Sequence, residues 1–318
     1  AGVAFSPTAY ACAVSINGVS DLPSLLTHEA KLWGGADSKS GQMTDWRTHV
    51  GSPSDPKLAM ESPVHAAGVV TAPVLLIGTA ISTAAFPRLA ARLSQGRPDL
   101  FRKDFLRILR AMIWITVPIV VIAFFCRGYL ARLIYTQGNA AIAEIFGYLT
   151  VAIFFRVLYS IISRWFYAQK DTKTPLFVSV FTISLNILLV SILARQSSYG
   201  VDGLALAQSI VAVVEVVILS TIMLIRDRKL FDSAFWGGVG RIISVTGFSV
   251  ITGYIMVKIY PLGLNDRGFV TLGSKLFIIS AVTFAMHIGI SSLFGLEEVG
   301  PLIQRIKRII LKPVKLDY

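Results

Sequence analysis

Apolar residues run in long blocks along this chain, separated by short stretches that gather most of the charge. Such blocks predict helices that cross a bilayer, because about 20 residues rising ~1.5 Å each cover its hydrocarbon core. Seven spans are read: Ala66–Pro87, Ile108–Cys126, Ile142–Ile162, Leu176–Ala194, Gly203–Ile225, Trp236–Ile259 and Phe269–Phe294. The first holds no charged residue in 22 positions, and its Gly78, Ser82 and Ala85 form a small-residue stripe suited to close helix approach. Pro118, inside the second, removes one helical hydrogen bond and predicts a kink. Pro98 opens a segment in which Phe101, Phe105, Ile108 and Met112 share one face while Arg102, Lys103, Arg107 and Arg110 fall elsewhere. That pattern predicts an amphipathic helix lying on the lipid surface. The tail from Pro301 to Leu316 repeats it, with Arg305, Lys307 and Arg308 opposite Leu302, Ile306 and Ile309. Residues 1–63 follow no such period; half of the positions from Gly34 to Pro63 are Gly, Ser, Pro or Asp, so this region is expected to be irregular. The expected organisation is an irregular region (1–63), a transmembrane helical lobe (64–294) and a basic tail (295–318).

Composition agrees with an all-α polytopic membrane protein. The 318 residues are 54% hydrophobic and only 15% charged, with a mean hydropathy of +0.67. The net charge of +12 would suit nucleic acid if it lay on one soluble face. Here the cations sit between apolar blocks, which points to anionic phospholipid and away from nucleic acid. Alternate connections collect nineteen Lys and Arg on one side against six on the other, so the positive-inside rule puts the 163–175 loop and the C-terminus in the cytoplasm. Cys12 and Cys126 cannot form a disulfide framework, and His28, His49 and His65 share no helical face. No phosphate-binding glycine loop, zinc motif or nucleophile elbow occurs, so neither catalysis nor a cofactor or metal is expected.

Chemistry inside the spans rests on few residues. Arg156 and Glu215 each stand within a predicted span, where a charge costs a few kcal/mol unless paired or hydrated. They can form a structural ion pair or line a substrate cavity, and both readings stay open. Asn186 and Gln208 can hydrogen-bond between helices or line the same cavity. His287, standing alone, reads as a packing histidine.

One loop has a distinctive order of residues: Arg164-Trp165-Phe166-Tyr167-Ala168-Gln169-Lys170-Asp171-Thr172-Lys173-Thr174-Pro175. Its aromatic residues suit the headgroup region, Thr174 is placed to cap the next helix, and Pro175 fits the first helical position. The sequence Phe166-Tyr167-Ala168, two residues, then Asp171-Thr172-Lys173-Thr174-Pro175 resembles the MurJ/MviN family of lipid II flippases in the MOP exporter superfamily. The pair Pro73 and Pro87, Tyr135-x-x-Gly138, Asn186 and Gly200-Val201-Asp202-Gly203 continue the resemblance in order. It implies helices eight to fourteen of a fourteen-helix fold, whose two lobes carry a lipid-linked peptidoglycan precursor, lipid II, outward by alternating access. The other lobe would then be a missing N-terminal partner. The family places a cavity arginine about five residues before the first of the paired prolines, where this chain has Gly68, so that role is not carried over. Some members bind sodium near the position of Asn186, but the expected acidic partner is not evident. The rival readings are a flippase for another lipid-linked oligosaccharide, or a non-transporting scaffold or partner subunit.

Overall fold

A computed structural model describes residues 74–134, 140–193, 202–263, 266, 268–300 and 304. Within them the chain forms α1 (Ala80–Ser94), entered through a π-helical turn (Val74–Thr79), then α2 (Pro98–Phe125), α3 (Arg127–Ile134) and α4 (Ala140–Ala168). These are followed by α5 (Lys173–Leu193), α6 (Asp202–Arg226), α7 (Ser233–Ile259), α8 (Phe269–Leu293) and a short 3-10 turn (Glu297–Val299). Six of these helices, α2 and α4 to α8, are long and apolar enough to cross a membrane. This is a multi-pass helical membrane protein. The six match the last six predicted spans. Residues 66–73 of the first predicted span, with Gly68 and Pro73, residues 1–63, His65, Tyr135, Gly138, Gly200, Val201 and the tail cations Arg305, Lys307 and Arg308 lie outside the described residues.

Two of the predicted boundaries fall inside helices. Pro87 lies inside α1 and does not close it. The stretch opened by Pro98 is not a separate surface helix but the first turns of α2, a single helix of 28 residues, because nothing between Arg107 and Met112 interrupts the helical hydrogen bonds. Its apolar stripe faces protein: Phe101, Phe105, Leu109 and Met112 are buried against Val157, Ile161, Trp165 and Phe166 of α4 and against Leu219 and Met223 of α6. Trp165 and Phe166 therefore belong to the core and not to the headgroup layer; they are 2% and 0% exposed. An aromatic ring is as well suited to packing between helices as to an interface, and here neighbours at four-residue spacing on α4 carry it inward.

Helix α4 is the hub, packed on α6, α2, α1 and the π-helical turn. Without a hydrophobic drive between helices in lipid, such contacts depend on close van der Waals fit. Gly78 provides one: a Cβ there would stand 3.0 Å from Ser160 Oγ and 3.3 Å from Val157 Cα. α5, α7 and α8 lie outside the hub and show apolar side chains outward, among them Phe177, Phe181, Ile251 and Phe277, as lipid-facing helices do.

Alternation of the helices brings the ends of α1, α4, α6 and α8 and the starts of α2, α5 and α7 to one end of the bundle, which also carries most of the positive charge. The chain reverses there with one repeated device. After α1, Gly96 takes a left-handed φ of 67°, with its N–H on Leu93 O and the Arg97 N–H on Arg92 O; Gly295 repeats this after α8. After α4 the left-handed residue is Lys170, φ 62°, and the Asp171 N–H reaches back to Phe166 O.

Ion pairs then clasp this end. Asp104, nearly buried, accepts both Nε and Nη2 of Arg88, at 3.0 and 2.9 Å, and Nε of Arg92 at 3.1 Å, joining α1 to α2. Arg102 pairs with Asp227 at the end of α6. Arg110 pairs with Glu297 at 2.7 Å and with Glu298.

Candidate functional site

The two charges predicted inside spans meet. Arg156, midway along α4, donates from Nη1 to Glu215 Oε2 of α6 at 3.1 Å. Glu215 Oε1 accepts from Ser179 Oγ of α5 at 3.2 Å, and Tyr159 Oη lies 3.3 Å from that hydroxyl. A carboxylate with both oxygens engaged is the arrangement that makes a charge tolerable in lipid. The pair is unequal in its surroundings: the Glu215 side chain is 4% exposed and that of Arg156 22%.

Two helical turns separate Ser179 from Asn186 on α5 and Gln208 from Glu215 on α6. Since the two helices are antiparallel neighbours, the register that sets 179 against 215 also sets 186 against 208. Asn186 is buried and Gln208 half-buried, and both are engaged in polar contacts. The inward side of α5 carries Ser179, Thr182 and Asn186 beside the apolar Val178, while its outward face is largely apolar. Ser179 and Tyr159 gave no signal in the sequence. Hydroxyls within spans commonly bond to their own helix, as Ser184 does to Val180 O at 3.1 Å.

The distinctive loop is a helix reversal held from a third helix. Phe166, Tyr167 and Ala168 form the last turn of α4, and Thr172 stands just before α5. Asp171, and not Thr174, is the capping residue: Oδ1 accepts the Thr174 N–H at 3.0 Å and Oδ2 the Thr174 hydroxyl at 2.6 Å. α5 accordingly begins at Lys173, two residues before Pro175. Arg226, in the last turn of α6, binds Asp171 Oδ2 at 2.5 Å and Thr174 Oγ1 at 2.8 Å, with its guanidinium 5.4 Å from the centre of the Phe166 ring. Arg164 lies over Phe86 and Tyr167. The Thr174 hydroxyl and N–H, together with Arg226, hold the Asp171 carboxyl down at about 2.

An Asp171→Ala variant is expected to lose about 1–2 kcal/mol, with Asp171→Asn losing less because an amide oxygen still caps the helix. Because the folded value lies below the unfolded one near ~4, the stabilisation is complete above that pH and disappears as pH falls towards ~2. Thermal unfolding in detergent against pH checks both: the alanine variant lacks this part of the acid limb.

A second polar cluster joins α2, α7 and α8. His287 places Nε2 3.1 Å from the Trp114 carbonyl and Nδ1 2.8 Å from Ser249 Oγ; Trp114 Nε1 donates to Ser291 Oγ at 2.8 Å. The carbonyl is available because the residue four places on is Pro118, which has no N–H to give it. His287 is therefore a packing histidine with a specific task, the donor that the proline removes.

Among the described residues no group of His, Cys, Asp or Glu is arranged to hold a metal. The crossing helices, with the buried Arg156–Glu215 pair and the polar groups of the α5–α6 seam between them, define a polytopic helical membrane protein. A family model described as lipid II flippase MurJ matches residues 64–264, and the chain belongs to that family. Probable lipid II flippases MurJ from Rhizobium tropici and Thermotoga maritima are 24% and 23% identical over 253 and 239 residues, covering 74% and 73% of this chain and 45% of each relative. That of Borreliella burgdorferi is 24% identical over 164 residues, 50% of this chain and 32% of the relative. The chain spans about half the length of the curated relatives it matches. A solved lipid II flippase MurJ in an inward closed conformation shares the fold, with a TM-score of 0.57 at 21% identity, over 74% of this chain and 50% of that one.

Proposed function

We propose that the chain acts as one helical half of a flippase that moves lipid II across the bacterial cytoplasmic membrane by alternating access, completed by an N-terminal lobe. Membership of the family supports the substrate class. The observation that carries a transport role for this half is the partly accessible guanidinium of Arg156 beside its buried partner Glu215. A guanidinium binds a carboxylate or a phosphate oxygen with the same fork of donors, so Arg156 can exchange Glu215 for a phosphate of the passing lipid while Ser179 keeps hold of the carboxylate. Asn186 and Gln208 extend the polar lining from this point. The positively charged end of the bundle faces the cytoplasm in this reading, which places the C-terminus there.

The test is delivery of labelled lipid II to the outer leaflet in cells that depend on this chain together with the N-terminal half of a relative. Arg156→Gln, present in the membrane at the normal level, is expected to lower transport at least about tenfold, the effect of losing one charge-assisted contact. Unchanged transport would leave the pair a packing element and favour a scaffold.

A further inference from the structure

A cleft of about 440 Å³ opens at the positively charged end, between the first turns of α2 and the connection from α6 to α7. Its floor is apolar: Leu106, Leu230 and Phe235 are buried beneath it. Five cations line it, Arg102, Lys103, Arg107 and Arg110 from α2 and Lys229 from the connection.

Five cations in the lining stand against three carboxylates, Asp99, Asp232 and Glu297, with Asp227 and Glu298 behind them. Arg102 is paired with Asp227, and Arg110 with Glu297 and Glu298. Of the carboxylates in the wall, Asp232 caps α7 by accepting the Phe235 N–H at 2.7 Å, Glu297 already holds Arg110, and Asp99 lies in the first turn of α2, where the helix terminus favours it. Lys103, Arg107 and Lys229 have no ion-pair partner among the described residues. Three free cations over an apolar floor, where a spanning helix leaves the hydrocarbon, fit an amphiphile with a phosphate at its polar end.

We propose that this cleft binds the phosphodiester headgroup of an anionic phospholipid, with Lys103, Arg107 and Lys229 on the phosphate and the floor against the glycerol and first acyl carbons. The inference relies on the orientation proposed above only for which leaflet supplies the lipid; binding in solution tests it independently of transport. The paired Arg102 and Arg110 fix the wall and leave the other three to move onto the ligand. A juxtamembrane cation adds severalfold to affinity for anionic lipid, so removing three lowers it by at least about tenfold.

The experiment is native mass spectrometry of the full chain titrated with phosphatidylglycerol, phosphatidylcholine and inorganic phosphate. Phosphatidylglycerol is expected to be retained over phosphatidylcholine, and the triple variant Lys103→Gln/Arg107→Gln/Lys229→Gln is expected to lose at least about tenfold of that preference. Lys173→Gln, at the same end but outside the cleft, should keep it. Equal retention by the triple variant and the unaltered chain overturns the proposal. So does an equal loss in Lys173→Gln, which would mean diffuse charge. Displacement of the lipid by inorganic phosphate at comparable concentration would assign the cleft to free phosphate instead.

Discussion

A Glu215→Ala variant is expected to be destabilised by about 3 kcal/mol, towards the lower end for breaking a buried ion pair because Arg156 keeps some exposure. The loss comes mainly from what remains: a guanidinium inside the membrane without its carboxylate, and a Ser179 hydroxyl without its acceptor. Replacing both partners with apolar side chains of similar size removes the unpaired guanidinium, and the Ser179 hydroxyl keeps Tyr159 Oη at 3.3 Å, so Arg156→Met/Glu215→Met is expected to lie within about 1 kcal/mol of the unaltered chain. Thermal unfolding of the three proteins in the same detergent measures the difference. The comparison separates two roles, because the double variant keeps the fold while lacking the cation proposed to meet the phosphate. A Glu215→Ala protein as stable as the original would mean that the pair contributes nothing to the fold.

The second large effect is expected at His287, where leucine should cost about 2 kcal/mol by orphaning the buried Trp114 carbonyl, while the Ser249 hydroxyl falls back on its bond to Val245 O at 3.2 Å. The carbonyl lacks a helical donor only because of Pro118, so the two positions are coupled. Pro118→Ala supplies a backbone N–H to the carbonyl, and His287→Leu is then expected to cost about 1 kcal/mol less in that background. A double-mutant cycle read by unfolding temperature provides the coupling. Strictly additive effects would show that the histidine does not replace the donor missing at Pro118.

The spans were legible because an apolar block of more than about 18 residues has few alternatives, and six of them reappear as helices in the expected places. Their edges were less so. Helix propensity does not distinguish an amphipathic segment that ends before a span from one that runs into it, and Pro98–Phe125 is the second kind. Trp165 and Phe166 were misplaced because residue type describes preference for an environment, while α2 decides that theirs is protein. The meeting of Arg156 and Glu215 could be foreseen, since two charges within spans have few other partners. Ser179 could not, because a serine inside a helix carries no mark of which neighbour it will face. Arg226 had a weak signal: a cation in the last turn of a helix ending beside a loop with an aspartate. The Trp114 partner of His287 was in principle readable from Pro118, because a proline always frees the carbonyl four residues before it.

The clasp between Arg110 and the glutamates after α8 has a consequence for the order in which the molecule is made. Arg110 and its partners Glu297 and Glu298 are 187 and 188 positions apart. At ~5–20 residues per second, the arginine is joined to the chain roughly 10–40 s before either carboxylate. During that interval α4 to α8 are synthesised while Arg110 still lacks those two partners. Closure of this corner thus waits until α8 is complete, and a nascent chain halted just after α8 would hold α1 to α8 but not the lock that joins the last of them to α2.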